Sequence, residues 1–327
     1  MLFSFLKTKA EAKRINSGVS SDNLAGIKNT LQFLDEEKLY PDFHTITGYV
    51  NEPEVEISGK KYLMFCSNNY LGITQNQEVK DAAKDAIDRY GVGPGGSRVI
   101  SGNVDIVETL EKEIASLTDS EDCMIFPTGY MANISVFQAL MDPLFFNLPY
   151  KSSDSVIFSD EKNHGSIVDG IRLSKATRVI FKHNDIADLR RKITEYDLPN
   201  KLIVTEGVFS LEGEIIDLPA YVSLARETGS KLMIDDAHGI GVLGSRGGGT
   251  PEHLGCAGEI DILMGSFDKA FGCMGGYLCG KATLIKYLRI ACRSSILSSS
   301  FPTPLAGALI RAVRVIKQGT DKRERIV

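Results

Sequence analysis

The chain has 327 residues, 43% of them hydrophobic, 24% charged and 8% aromatic, which is the composition of a folded globular protein and excludes a disordered chain. That length allows two domains or one large α/β domain with an appendage. Lys plus Arg at 37 against Asp plus Glu at 42 leaves a formal charge of −5, so no overall basic field gathers nucleic acid or an anionic membrane, and small-molecule chemistry is expected.

Residues 1–50 read as an N-terminal arm with a helix. The apolar stretch at its start, 2–6, is cut off by Lys7 and is too short for a signal-peptide core or a membrane span. The six cysteines (66, 123, 256, 273, 279 and 292) are scattered without a CxxC pair, which predicts buried thiols in a reducing compartment and a cytoplasmic location. Helical periodicity covers 78–90 and 104–117, and an apolar run at 124–126 leads into a helix from about Tyr130. From 155 onward, short runs rich in β-branched residues (155–158, 177–181, 202–205, 231–234, 260–264 and 277–279) alternate with amphipathic stretches such as 186–194 and 218–228. That alternation predicts an α/β fold with a mostly parallel sheet covered by helices, followed by a last helix over 304–317.

In open α/β sheets, ligands sit outside the carboxyl ends of the strands. The polar residues that follow the runs are His164, then Glu206 and Ser210, then Asp235 and His238, then Ser266 and Lys269, so sequence-distant groups converge on one rim. Three other patterns carry less. Gly91, Gly93 and Gly96 spell GxGxxG but follow a helical segment, whereas a dinucleotide fingerprint follows a strand. Residues 275–281 spell GxxxxGK, yet Ala282 stands where a P-loop needs Ser or Thr. Asp235, Asp236, His238 and His253 have metal-binding side chains but no ligand pair at a fixed helical spacing.

The rim supplies what pyridoxal phosphate chemistry needs: a Lys amine for a Schiff base, an Asp carboxylate to keep the pyridine nitrogen protonated, and small hydroxyl residues with a helix N-terminus for the phosphate. Nine motifs in order then carry a resemblance: CSNNYLG (66–72), GPGGSRVISG (93–102), TGYMAN (128–133), NHGS (163–166), KHND (182–185), EGVFSLEG (206–213), IDDAHGIG (234–241), SFDKAFG (266–272) and LSSSFP (297–302). The sequence from about Tyr62 to Pro302 resembles the α-oxoamine synthases, fold-type I pyridoxal-phosphate enzymes that condense an acyl-CoA or other acyl thioester with a small amino acid (Ser, Ala or Gly) and release carbon dioxide.

The resemblance implies a large cofactor-binding domain over 51–295 and the start of a smaller C-terminal domain over 296–327. It implies that Lys269 is the Schiff-base lysine and later the base for the α-proton, that Asp235 pairs with the pyridine nitrogen, and that His164 stacks on the ring. His238 and Ser210 match residues near the phenolic oxygen, Gly129 and Tyr130 the helix start beside the cofactor, and Ser266 a phosphate-binding residue. Ser299 matches a hydroxyl that reaches the partner's phosphate, which implies a homodimer with shared sites, and Asn68 matches a residue near the substrate. Each has a structural alternative: Ser210 as a turn cap, Asn68 as a loop residue, His238 as a hydrogen-bonded rim histidine.

Two departures stand out. Asp268 precedes the lysine where relatives carry a small residue, and it is expected to point away from the cofactor, because a carboxylate there repels phosphate. Relatives also continue into a C-terminal lobe whose Arg clamps the substrate carboxylate, whereas this sequence ends at Val327. A cofactor-binding but catalytically impaired or partner-dependent subunit, and an aminotransferase, are therefore the alternative readings. The acidic stretch DEEKLYP (35–41) leans toward a neutral acyl chain, as in serine palmitoyltransferase-like members, and away from a dicarboxylic one.

Overall fold

The computed structural model describes residues 23–50, 52–142 and 151–326, so the apolar stretch at 2–6 and the first part of the arm lie outside it. Two compact units are present: residues up to Gly48 with Glu56–Tyr62, and Tyr49–Val55 with Leu63 onward. The first contains a helix, Ala25–Glu36, and most of a three-stranded sheet in the order β1 (Ile46–Thr47), β2 (Glu54–Ile57), β3 (Lys60–Leu63). A two-residue turn joins β2 to β3 at Ser58 and Gly59, both with positive φ, the backbone that tight hairpins require. Of the described residues within 23–50, Ala25–Glu36 form the helix and Ile46–Thr47 a short strand paired with β2.

The second unit is built on seven strands in the order β4 (Asp122–Phe126), β10 (Gly276–Gly280), β9 (Ile262–Ser266), β8 (Lys231–Asp235), β7 (Asn200–Glu206), β5 (Ser155–Asp160) and β6 (Thr177–Phe181). β10 alone runs against its neighbours; the pairs from β9 to β6 are all parallel. The sheet is therefore mostly parallel, as the alternation of runs and helices predicts. Successive residues along a strand face two different cores. Val156, Phe158, Ile203, Leu232 and Ile234 meet the helices Asp105–Leu117, Leu218–Thr228 and Thr303–Gln318. Ile157, Leu202, Val204 and Met233 meet the helices Gly129–Met141, Gly165–Ser174 and Ala282–Ala291. Burial on both faces explains why these strands read as continuous apolar runs rather than as alternating ones.

Local chemistry sets the helix starts. Asn76, Thr128, Asp185 and Asp217 each cap a helix by accepting a backbone N–H from the first turn. Gly91 ends the first of these helices with φ +79, so the GxGxxG segment is a helix-terminating loop. In that loop a Cβ on Gly96 would lie 2.1 Å from Ser101 Oγ, which is why the backbone there carries no side chain. The GxxxxGK pattern falls on β10, an antiparallel strand and not a phosphate loop.

Besides three helices of four or five residues, two longer ones among the described residues escape sequence periodicity. Gly165–Ser174 is short and carries Gly170 in its middle, and Ala282–Ala291 follows directly on a strand. Gly170 has a packing reason: a Cβ there would sit 2.6 Å from a Phe137 ring carbon and 2.7 Å from the Asn133 carbonyl oxygen. This close approach sets the spacing of two helices that both feed the cavity described below. Gly170→Ala is expected to destabilise the fold by about 1–3 kcal/mol, the usual cost of overpacking, measured as a lower thermal midpoint with the secondary structure retained.

Candidate active site

The carboxyl ends of β5, β7, β8 and β9, with the loops after them, enclose a cavity of about 550 Å³. Nine of the ten residues expected at the site line it: Asn68, Gly129, Tyr130, His164, Ser210, Asp235, His238, Ser266 and Lys269. Ser299 does not. It is exposed and lies beside Arg98 and Phe301, in the segment where Ser300 N–H donates to the Gly96 carbonyl.

Asp235 is the last residue of β8 and is 5% exposed. Burial pushes its carboxyl up, and three features oppose that push: Asn133 Nδ2 donates at 2.8 Å, the Ala237 N–H donates at 3.1 Å, and the Lys269 amine lies nearby. Asn133 also donates to Ser166 Oγ, which is 2.7 Å from His164 Nδ1. One amide thus orients a carboxylate and, through a hydroxyl, an imidazole. The His164 ring caps the helix Gly165–Ser174 and stays exposed on the cavity wall.

Glu206 ends β7 directly opposite Asp235 in the parallel register. It is 5% exposed, accepts the His164 N–H at 2.7 Å, and is pushed up to about 8 by burial first and by the Asp235 charge second. Two carboxyls this close share one negative charge. Asp235 has two fixed donors, and Glu206, pushed up to about 8, carries the proton near neutral pH.

On the opposite wall, His238 Nδ1 is 2.7 Å from the Tyr70 hydroxyl. Burial, then the Lys269 charge, lowers the imidazole to about 4, while burial and Asp268 raise the Tyr70 phenol. With the phenol donating, Nδ1 accepts and the ring proton sits on Nε2. Ser210 stands on a loop tied by Phe209 N–H to the Glu214 carbonyl and Gly213 N–H to the Phe209 carbonyl. His183, from the KHND segment, clamps that loop by bridging Asp160 at 3.0 Å and Glu214 at 3.1 Å while meeting the Phe209 ring edge-on.

Lys269 is presented by the loop between β9 and β10. The Phe267 N–H donates to the Gly275 carbonyl, and the Phe267 ring is buried against Phe271, Tyr277 and Phe301, so the loop is anchored two residues before the amine. The strand itself runs to Ser266, two residues beyond the predicted run at 260–264. The Lys269 side chain is 14% exposed. Asp268 corrects an expectation: it faces the cavity, accepts a short hydrogen bond from Ser266 Oγ and lies 3.4 Å from Lys269 Nζ. A hydroxyl donor and an ammonium attract the carboxylate inward, and that attraction wins.

Tyr70, Asn133, Ser166 and Glu206 belong to the site without having been assigned to it from the sequence. All four fall inside the quoted motifs, and Glu206 stands on the predicted rim, but spacing alone does not distinguish a side chain that orients another from one that lines a wall. Among the described residues no group of three or more His, Cys, Asp or Glu side chains is placed to hold a metal, and Asp236 accepts from the Thr250 N–H and hydroxyl. No helix among the described residues is long and apolar enough to cross a membrane, and the six cysteines are free thiols.

The aminotransferase class I and II family matches residues 60–327. An 8-amino-7-oxononanoate synthase of Alkaliphilus metalliredigens is 38% identical over 302 residues, covering 92% of this chain and 74% of that protein. The enzyme of the same name from Thermosipho melanesiensis is 41% identical, covering 83% and 67%. The chain belongs to the α-oxoamine synthase family. Among solved structures, a serine palmitoyltransferase from S. paucimobilis with a bound pyridoxal phosphate–myriocin aldimine superposes with a TM-score of 0.84 at 30% identity, covering 93% of this chain and 75% of that one. An 8-amino-7-oxononanoate synthase from Francisella tularensis gives 0.67 at 29% identity, covering 80% and 71%.

The cavity of this α-oxoamine synthase fits pyridoxal phosphate on its own chemistry. A buried carboxyl with fixed donors suits a protonated pyridine nitrogen, and a lysine amine on an anchored loop suits the aldehyde. At the far end, Gly129 opens a helix whose first N–H groups lack intrahelical partners, and a Cβ on Gly129 would come 3.4 Å from Ser266 Oγ, so hydroxyl and helix N-terminus are neighbours.

Glu206 makes the fold sensitive to pH. The folded state holds this proton up to about pH 8 and the unfolded chain releases it near 4.5, so its contribution favours folding at acid pH and is lost as pH rises between those values. In the cofactor-free protein, Glu206→Gln is expected to flatten the fall in thermal midpoint between pH 5 and pH 8 (taken roughly from that window). A wild-type and variant pair with parallel curves contradicts it.

Proposed function

We propose that this chain condenses an acyl thioester such as an acyl-CoA with a small amino acid, Gly, Ala or Ser, and releases carbon dioxide to leave an α-aminoketone, working as a cytoplasmic homodimer. The observation that carries the reading is Lys269 and a buried, hydrogen-bonded Asp235 lining one cavity, in a chain that shares 38–41% identity with synthases of this kind. Residues 51–295 form the cofactor-binding domain in this reading, and 296–327 begin a smaller one.

Bound pyridoxal phosphate supplies an electron sink that accepts the pair left when a bond to the amino acid α-carbon breaks. In this reading Lys269 Nζ attaches the cofactor and then takes the α-proton. Asp235 keeps the pyridine nitrogen protonated, helped by Asn133 and Ala237, whose hydrogen bonds hold the carboxylate in place. His164 covers one face of the ring, its imidazole oriented by Ser166. His238, neutral and fixed by Tyr70, and Ser210 take the phenolic-oxygen side, while Ser266, Gly129 and Tyr130 take the phosphate end. Asn68, exposed at the rim, serves the substrate, and Ser299 serves the partner's site.

The test is a purified protein reconstituted with cofactor and offered Gly, Ala or Ser with a panel of neutral and dicarboxylic acyl-CoAs. Carbon dioxide release that needs both substrates is expected; keto acid formation without acyl-CoA would instead indicate transamination and overturn the reading. Lys269→Ala is expected to abolish release, and Asp235→Asn to lower it by about a hundredfold or more, the scale of removing a fixed electrostatic partner. Light scattering on the eluted peak checks the dimer.

A further inference from the structure

Asp268 stands out within the cavity. Its carboxylate accepts a hydrogen bond from Ser266 Oγ and lies 3.4 Å from Lys269 Nζ. Ser266 is buried, ends β9, and has its hydroxyl beside the start of the helix Gly129–Met141. The carboxylate therefore lies against the hydroxyl that the proposed function gives to the cofactor's phosphate, close to a helix N-terminus that favours anions. The lining already carries the carboxyls of Glu206, Asp235 and Asp268, and Lys269 is its one Lys or Arg. A phosphate ester entering this end meets a like charge and a hydroxyl that is already engaged.

We propose that Asp268 competes with the phosphate of the cofactor for Ser266 and so sets how strongly this site prefers the phosphorylated cofactor over its unphosphorylated form. The inference rests on the pyridoxal phosphate reading of the cavity. It concerns only the phosphate end: the contact at issue is with Ser266, and pyridoxal, which has a hydroxymethyl group in place of the phosphate ester, neither repels a carboxylate nor needs that hydroxyl. The Asp268 side chain is half exposed, so a loss of fold on replacing it is not expected, and the unchanged far-ultraviolet circular dichroism of each variant checks this.

Equilibrium titration of cofactor-free wild type, Asp268→Ser and Asp268→Asn with pyridoxal phosphate and, separately, with pyridoxal tests this without any turnover. The absorption band that disappears in Lys269→Ala reports binding. Both variants are expected to bind pyridoxal phosphate roughly tenfold more tightly, the scale of removing one nearby like charge, with pyridoxal affinity changed less than about twofold, so that the ratio of the two dissociation constants shifts. Equal gains for both ligands would mean that Asp268 acts on the lysine and not on the phosphate, and would overturn the proposal. An unchanged ratio with unchanged affinities would overturn it as well. Absence of a Lys269-dependent band in every variant would instead sink the cofactor reading itself, and the proposal with it.

Discussion

Asp235 holds its carboxylate at the end of a strand covered on both faces, where burial alone would neutralise it. Neighbours from three parts of the chain oppose that effect: the amide of Asn133 from the helix Gly129–Met141, its own turn at Ala237, and the Lys269 amine across the cavity. Glu206, one strand over, completes the arrangement by keeping its proton. Removing any of these donors would leave an uncompensated buried charge, which is far more costly than losing an exposed ion pair. The approach of the helices Gly129–Met141 and Gly165–Ser174, which only a glycine at 170 permits, follows from the same need, since it brings Asn133, Ser166 and His164 into one chain of hydrogen bonds ending at Asp235.

The sheet explains why these groups meet at all. Parallel strands β5, β7, β8 and β9 all end on one edge, so residues as distant in sequence as His164 and Lys269 line one cavity. The reversed strand β10 then returns beside β9, and the short connection between them is the loop that presents Asp268 and Lys269. Its anchor is an aromatic cluster around Phe267, so the amine sits on a packed support and not on a free surface loop.

Much of this was legible in the residues. Apolar runs at 177–181 and helices at 186–194 and 218–228 coincide with the observed elements, because strong periodicity and well-formed caps leave little for tertiary context to alter. Nine of ten expected site residues line the cavity: six of them follow from the rule that places ligands at strand ends, which depends only on strand direction, and Asn68, Gly129 and Tyr130 follow from the family resemblance alone. The helix at 165–174 was not legible, since a central glycine and ten residues give too weak a period. The paired roles of Glu206 with Asp235 and of Tyr70 with His238 were not legible either, as they depend on register and side-chain direction across 29 and 168 positions.

By itself the sequence determined the mostly parallel α/β architecture and the family, and it picked out Lys269 and Asp235, which line one cavity, because these follow from hydropathy period and from motifs that stand in order along the chain. Only the tertiary structure decided which carboxyl on the rim keeps its proton, which amide and hydroxyl orient Asp235 and His164, and which way Asp268 turns. Those outcomes are set by burial and by competing hydrogen-bond partners in three dimensions. A residue's own chemistry says that Asp268 should avoid a phosphate; the hydroxyl of Ser266 and the amine of Lys269, brought beside it by the β9–β10 loop, draw it in.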